Sequence, residues 1–171
     1  MSSWGKYKPN ESAKNSWSEE EAFEKLTTYC AYQERCPWEV KRKLFEKGIK
    51  DELAEKLIAE LTSAEFVNEE RYARSFARGK FRLKKWGRNR IRMELKMREI
   101  PETLIRKGLT EIDPEEYYDT LLTQTEKKWE STREPDTYKK KFKVTQYLMS
   151  KGYEMDLVKE AVESLISDQS Q

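Results

Sequence analysis

Ten lysines and arginines stand between Arg71 and Met93 with no aspartate or glutamate among them, in a chain whose 34 basic and 32 acidic residues leave a net charge of only +2. Side chains of this kind hold anions: clustered charge steers an oppositely charged partner inward and, on a nucleic acid, releases condensed counterions. Arg71, Arg74, Arg78, Arg82 and Lys85 follow one another at steps of three, four, four and three residues. On a helix turning about 100° per residue they share one narrow stripe. Lys80 and Lys84 add charge on the same segment, and Arg88, Arg90, Arg92 and Lys96 continue it around the apolar pair Ile91 and Leu95. From Arg71 to Lys107, 14 basic residues face only Glu94, Glu99 and Glu102, a net of +11, so the remainder carries −9. Like charges at this spacing repel by about 0.2–0.5 kcal/mol per pair, so folding alone gives no reason for the stripe. An acidic protein or a nucleic acid gives one.

Other chemistry is scarce. The chain has no histidine, which removes the usual general base near neutral pH and the commonest transition-metal ligand. Cys30 and Cys36 are too far apart for a CxxC redox pair and read as reduced structural thiols. Carboxylate clusters such as Glu19-Glu20-Glu21 and Glu115-Glu116 fall where helices start, and capping and solvation account for them. Neither a catalytic centre nor a cofactor is expected. No run approaches the roughly 20 apolar residues of a membrane span, and the polar start is unlike a secretory signal, so a cytoplasmic location is expected.

The elements that carry the basic residues are helical. Phe23, Leu26 and Cys30, then Val40 and Leu44, then Leu53, Leu57, Ile58 and Leu61 recur at three- and four-residue steps. Ser18 and Glu21 form a capping-box pair, and Asn68 and Asp113 read as N-caps. Pro37, Pro101 and Pro114 suit first turns; Gly48 and Gly152 suit left-handed C-terminal caps. On the helix from Asn68 to about Lys85, Tyr72, Phe76 and Leu83 are assigned to the core face. Met93 and Met97 lie away from Ile91 and Leu95, as a partner contact or as packing against an adjoining unit. Trp86 reads as a hinge aromatic buried between helices, with stacking on a base or an arginine the alternative.

The segment Val40 to Leu61 repeats. Val40, Leu44, Ile49, Leu53, Ile58 and Leu61 recur 51 residues later as Ile91, Leu95, Ile100, Leu104, Leu109 and Ile112. They recur 53 residues beyond that as Val144, Leu148, Tyr153, Leu157, Val162 and Leu165. With a preceding helix in each copy, the expected fold is all-α: nine helices forming an elongated curved array of three tandem three-helix repeats. The expected boundaries are a flexible N-terminal arm at 1–17, then repeats at 18–62, 63–112 and 113–167.

In the stretch EFVNEERYARSFARGKF and the following KKWGRNRIRMELKMREI, the sequence resembles the RecX family, bacterial regulators of the RecA recombinase. The matching residues are Phe66, the run Asn68 to Ala73, Phe76, Arg78, Lys85, Gly87, Arg90, Ile91, Leu95 and Ile100. The likeness extends over about Glu19 to Leu165, and Glu99 stands where the family has a glycine. The resemblance implies three tandem three-helix units without a catalytic centre. It also implies binding to the RecA–DNA filament, restraining its ATP hydrolysis, strand exchange and co-protease activity. The partners expected are RecA and, secondarily, single- or double-stranded DNA, with the protein itself a monomer. The competing reading is a direct DNA binder of helix-turn-helix type, using the helix from Arg88 as reader.

Overall fold

A computed structural model describes residues 16–169, so the expected arm falls outside the described residues except at its last two positions. Among the described residues there are nine α-helices and no strand. They are α1 (Glu19–Tyr32), α2 (Pro37–Glu46), α3 (Asp51–Ser63), α4 (Glu69–Lys84), α5 (Arg88–Met97), α6 (Glu102–Leu109), α7 (Pro114–Ser131), α8 (Thr137–Ser150) and α9 (Met155–Gln169). The all-α fold of three-helix repeats expected from the periodicity is the one observed. The chain divides into two compact units, the first ending at Asn68 and the second beginning at Glu69.

In the first unit the Ser18 hydroxyl accepts from the Glu21 N–H at 3.2 Å while the Glu21 carboxylate accepts from the Ser18 N–H at 2.9 Å, closing the capping box. Pro37 opens α2. Leu26, Val40, Leu44, Leu57 and Leu61 are fully enclosed, each contributing about 1.5–3 kcal/mol by leaving water. Cys30 and Cys36 both lie within the buried set. Trp17, at the end of the expected arm, packs on this core and has the ammonium groups of Lys25 and Lys47 within 5.4 Å of its ring.

The repeat is visible in the backbone as well as in the burial. Val40, Ile91 and Val144 are wholly buried, as are Leu44, Leu95 and Leu148. At the close of α2, α5 and α8 the same hydrogen bond recurs, with Ile49, Ile100 and Tyr153 N–H donating to Leu44, Leu95 and Leu148 carbonyls at 2.9, 3.1 and 3.2 Å. This is the bond of a left-handed C-terminal cap. The residue before each donor has positive φ: Gly48 at 81°, Glu99 at 60° and Gly152 at 98°. Ala54, Ile105 and Val158 add another buried position in register.

In the second unit α4 and α6 pack at backbone distance, because a Cβ at Gly108 would lie 2.8 Å from the Ala73 carbonyl oxygen. Ala73, Ala77 and Phe81, at four-residue steps, form the enclosed seam of α4. Leu83 sits about 200° around the helix from Phe81 and is 82% exposed, which corrects its assignment to the core; Phe81, 2% exposed, takes that role. Pro101 precedes α6 as its N-cap instead of lying within the first turn. Asp113 caps α7, its carboxylate accepting from the Glu115 and Glu116 N–H groups.

The loop between α4 and α5 meets the loop between α8 and α9. Gly87 N–H donates to the Lys151 carbonyl at 2.8 Å and Asn89 N–H to the Gly152 carbonyl at 3.0 Å. A Cβ on Gly87 would fall 2.2 Å from the Gly152 carbonyl carbon, so only glycine permits this approach. Beside it Phe81, Tyr117 and Tyr153 stack in a chain with ring centroids 5.7 and 5.3 Å apart. The second and third three-helix groups are thereby tied into one unit.

Candidate functional site

The basic stretch separates into two populations once side chains are placed. In the first, arginines are engaged by carboxylates of the same chain. Glu111, just after α6, receives Arg74 and Arg78 on its two oxygens at 2.8 Å each. Arg74 also donates to Glu70 at 3.0 and 3.2 Å, and Glu70 accepts from Lys107 at 2.9 Å. The Arg74 and Arg78 guanidiniums hold the Glu111 carboxyl below the usual range; Lys107, then Arg74, do the same for Glu70. Two arginines four residues apart thus chelate one carboxylate and join α4 to the end of α6. This corrects the premise that folding gives no reason for the stripe, since the balancing charge comes from a glutamate 37 residues beyond Arg74.

On α5 the same pattern recurs. Arg92 pairs with Glu102, which Lys96 approaches at 3.6 Å, and Arg98 pairs with Glu94 at 2.7 Å. Arg88 lies over the Tyr117 ring at 3.9 Å and reaches Glu154 at 3.4 Å, while its backbone N–H donates to the Tyr117 hydroxyl at 3.0 Å. That hydroxyl donates to Glu154 at 2.5 Å. Burial, then the Glu154 contact, push the Tyr117 hydroxyl far above its ordinary pKa, so it remains protonated and a donor.

The second population has no carboxylate partner among the described residues: Lys80, Arg82, Lys84, Lys85 and Arg90. Lys80 and Arg90 sit over Trp86 at 5.0 and 4.1 Å, and Lys80 is also 5.3 Å from Phe76. Trp86 is accordingly half-buried between cations, which corrects its assignment to a helix-buried hinge. Lys84 ends α4, and Lys85, at φ 55°, has left the helix and the stripe. Lys85 instead lines a shallow groove whose walls carry Asp113, Glu115, Glu116 and Asp119. Arg71 is exposed in the first turn of α4. Met93 and Met97 are 53% and 65% exposed, set apart from the buried pair Ile91 and Leu95 of the same helix.

Sequence reasoning missed the acidic partners Glu111 and Glu154 and the third-group cations Lys128 and Lys151, which lie close to the same surface. Glu70, four residues before Arg74, and Glu94, four before Arg98, were within reach of a spacing argument.

The class these features define is an all-α protein of tandem three-helix repeats that presents a partly unneutralised basic face, with no helix among the described residues long and apolar enough to cross a membrane. A family model described as "RecX, second three-helix domain" matches residues 68–109, and one described as "RecX, third three-helix domain" matches 115–162. The "Regulatory protein RecX" of Clostridium perfringens (strain 13 / Type A) is 32% identical over 133 residues, covering 77% of this chain and 62% of that protein. That of Clostridium botulinum (strain Eklund 17B / Type B) is 34% identical over 131 residues, covering 75% and 61%. The fold is shared with the crystal structure of RecX from Lactobacillus salivarius, with a TM-score of 0.73 at 22% identity over 86% of this chain and 96% of that one. This chain belongs to the RecX family. It spans about three fifths of the length of the curated relatives it matches.

Proposed function

We propose that this chain is a non-enzymatic regulator that binds the RecA recombinase and its filament on DNA, chiefly inhibiting ATP hydrolysis, strand exchange and co-protease activity. It acts as a monomer in the cytoplasm, organised as repeats at 18–62, 63–112 and 113–167. Family membership supplies the regulatory class. The observation that carries the surface is the group Lys80, Arg82, Lys84 and Arg90, unpaired with carboxylate and accompanied by the outward pair Met93 and Met97. Unpaired cations steer an anionic partner, and adaptable methionines supply apolar contact once it has arrived.

The competing reading, a recognition helix opened by Arg88, is disfavoured because the Arg88 guanidinium is already held by Tyr117 and Glu154. The test is ATP turnover by RecA on single-stranded DNA with increasing amounts of this protein. Turnover is expected to fall severalfold; turnover unchanged at several-fold excess removes the reading.

A further inference from the structure

The unpaired cations of the second group do not end at Arg90. Through the Gly87–Gly152 contact, the third group brings Lys151 against them, its ammonium donating to the Lys84 carbonyl at 3.2 Å. Arg90 donates in return to the Ser150 carbonyl at 3.5 Å. Lys151 also lies 5.9 Å from the Tyr147 ring, and Lys128 lies 4.6 Å from the same ring. Two half-buried aromatic rings, Trp86 and Tyr147, therefore each carry two cations, and the two sets are bridged by Lys151 and Arg90. Lys80, Lys84, Arg90, Lys128 and Lys151 make no ion pair among the described residues. The partners of Lys80, Arg90, Lys128 and Lys151 are neutral carbonyls or ring faces, which fix position without cancelling charge. A lysine ammonium has three donors and a guanidinium five, so one bond to a carbonyl leaves most of them available.

We propose that this junction between the second and third groups is a site for the phosphates of a nucleic-acid strand, with Lys128 and Lys151 as contacts alongside Lys80, Lys84 and Arg90. The proposal extends the regulator reading, because it assigns a direct strand contact to residues outside the basic stretch. Phosphate is favoured over an acidic protein by the division of labour in this chain. Carboxylates on this unit are met mainly by arginine, as at Arg74, Arg78, Arg88, Arg92 and Arg98. Four of the five junction cations are lysines, which act on phosphate as point charges without needing the fork geometry that matches a carboxylate. A strand supplies one phosphate for each nucleotide along its length, so it can engage cations drawn from two helical groups at once, with affinity that falls as salt rises.

The experiment measures anisotropy of a fluorescent 20-nucleotide oligothymidine with the full chain over a salt series. Lys128→Glu combined with Lys151→Glu is compared with Lys139→Glu combined with Lys159→Glu, a pair of exposed sites with the same change in net charge, and helicity is checked by circular dichroism. The junction variant is expected to lose at least about tenfold in affinity and to flatten the salt slope by about 1.4, at roughly 0.7 per phosphate on a single strand. The control pair is expected to lose severalfold less. Equal losses in the two variants, or wild-type affinity in the junction variant, overturn the site. Displacement of the strand by polyglutamate as effectively as by unlabelled oligothymidine, at equal charge, overturns the assignment to nucleic acid. Regulation of RecA is read separately by ATP turnover. Lost strand binding with regulation intact supports the junction and leaves the regulator reading standing; unchanged strand binding overturns the junction whatever ATP turnover does.

Discussion

Two parts of one basic surface, a few residues apart in sequence, differ in what holds their charges. Around α4 and α6, Arg74, Arg78 and Lys107 are knitted to Glu70 and Glu111. At the junction, Lys80 and Arg90 are held by ring faces and a carbonyl, together with Lys128 and Lys151 from the third group, and Lys84 offers its backbone carbonyl to Lys151. The first arrangement spends its cations on joining helices; the second keeps them charged toward the outside. A high local net charge in sequence therefore does not mark a binding face by itself. The identity of the acceptor, carboxylate or neutral, decides which arginines are structural.

The sharpest way to break the comparison is Gly87→Ala. With 2.2 Å between the new Cβ and the Gly152 carbonyl carbon, the two loops must separate, at a cost of about 3 kcal/mol, the upper end of what overpacking usually costs. Denaturant unfolding should show that loss, and any protein still folded should bind oligothymidine as weakly as the Lys128/Lys151 double variant, because the two halves of the junction no longer meet. Full affinity in a destabilised Gly87→Ala protein would separate the halves functionally.

A smaller effect distinguishes the paired region by pH. Glu70 and Glu111 have folded pKa values below the ordinary glutamate value of about 4.3. Their contribution to stability is thus complete above that pH and is lost as pH falls through their lowered values. Glu111→Gln should remove part of this acid sensitivity, seen as a shallower loss of stability below about pH 4.3, while lowering stability at neutral pH and leaving the oligothymidine salt slope unchanged. An unaltered acid limb would mean that the Arg74–Glu111–Arg78 bridge does not support the fold.

The smallest expected change is a gain. Glu99 holds φ 60° where its counterparts Gly48 and Gly152 are glycines. A left-handed conformation costs a non-glycine residue about 1–2 kcal/mol, offset in part by the greater freedom of glycine when unfolded. Glu99→Gly should stabilise the chain by about 0.5–1 kcal/mol in denaturant unfolding and, by removing an acid from the basic region, should not weaken strand binding. A loss of stability would show that the Glu99 side chain makes a contribution larger than its backbone strain.

Periodicity and spacing made much of the fold legible. The register Val40–Ile91–Val144 and its companions predicted three copies because every copy must bury the same helix face, and that requirement is local and repeats along the chain. The capping box at Ser18 and the glycines at Gly48 and Gly152 were readable because each depends on neighbours within a few residues. Leu83 was misassigned because Tyr72, Phe76 and Leu83 lie within about 40° of one another on α4 and so look like one buried face, whereas the enclosed seam runs through Ala73, Ala77 and Phe81, set by the close approach of α6 at Gly108.

By itself the sequence determined the helices, their threefold repetition and where positive charge accumulates, all of which are set by the order of residues and the helical period. Which of those charges are neutralised was decided only by tertiary structure. Glu111 is 37 residues from Arg74 and Glu154 is 66 from Arg88, and Lys151 comes to the Lys84 carbonyl across 67. Charges interact through space over a few ångströms, so their pairing becomes defined only when packed backbones, here the Gly108 and Gly87 contacts, bring distant loops together.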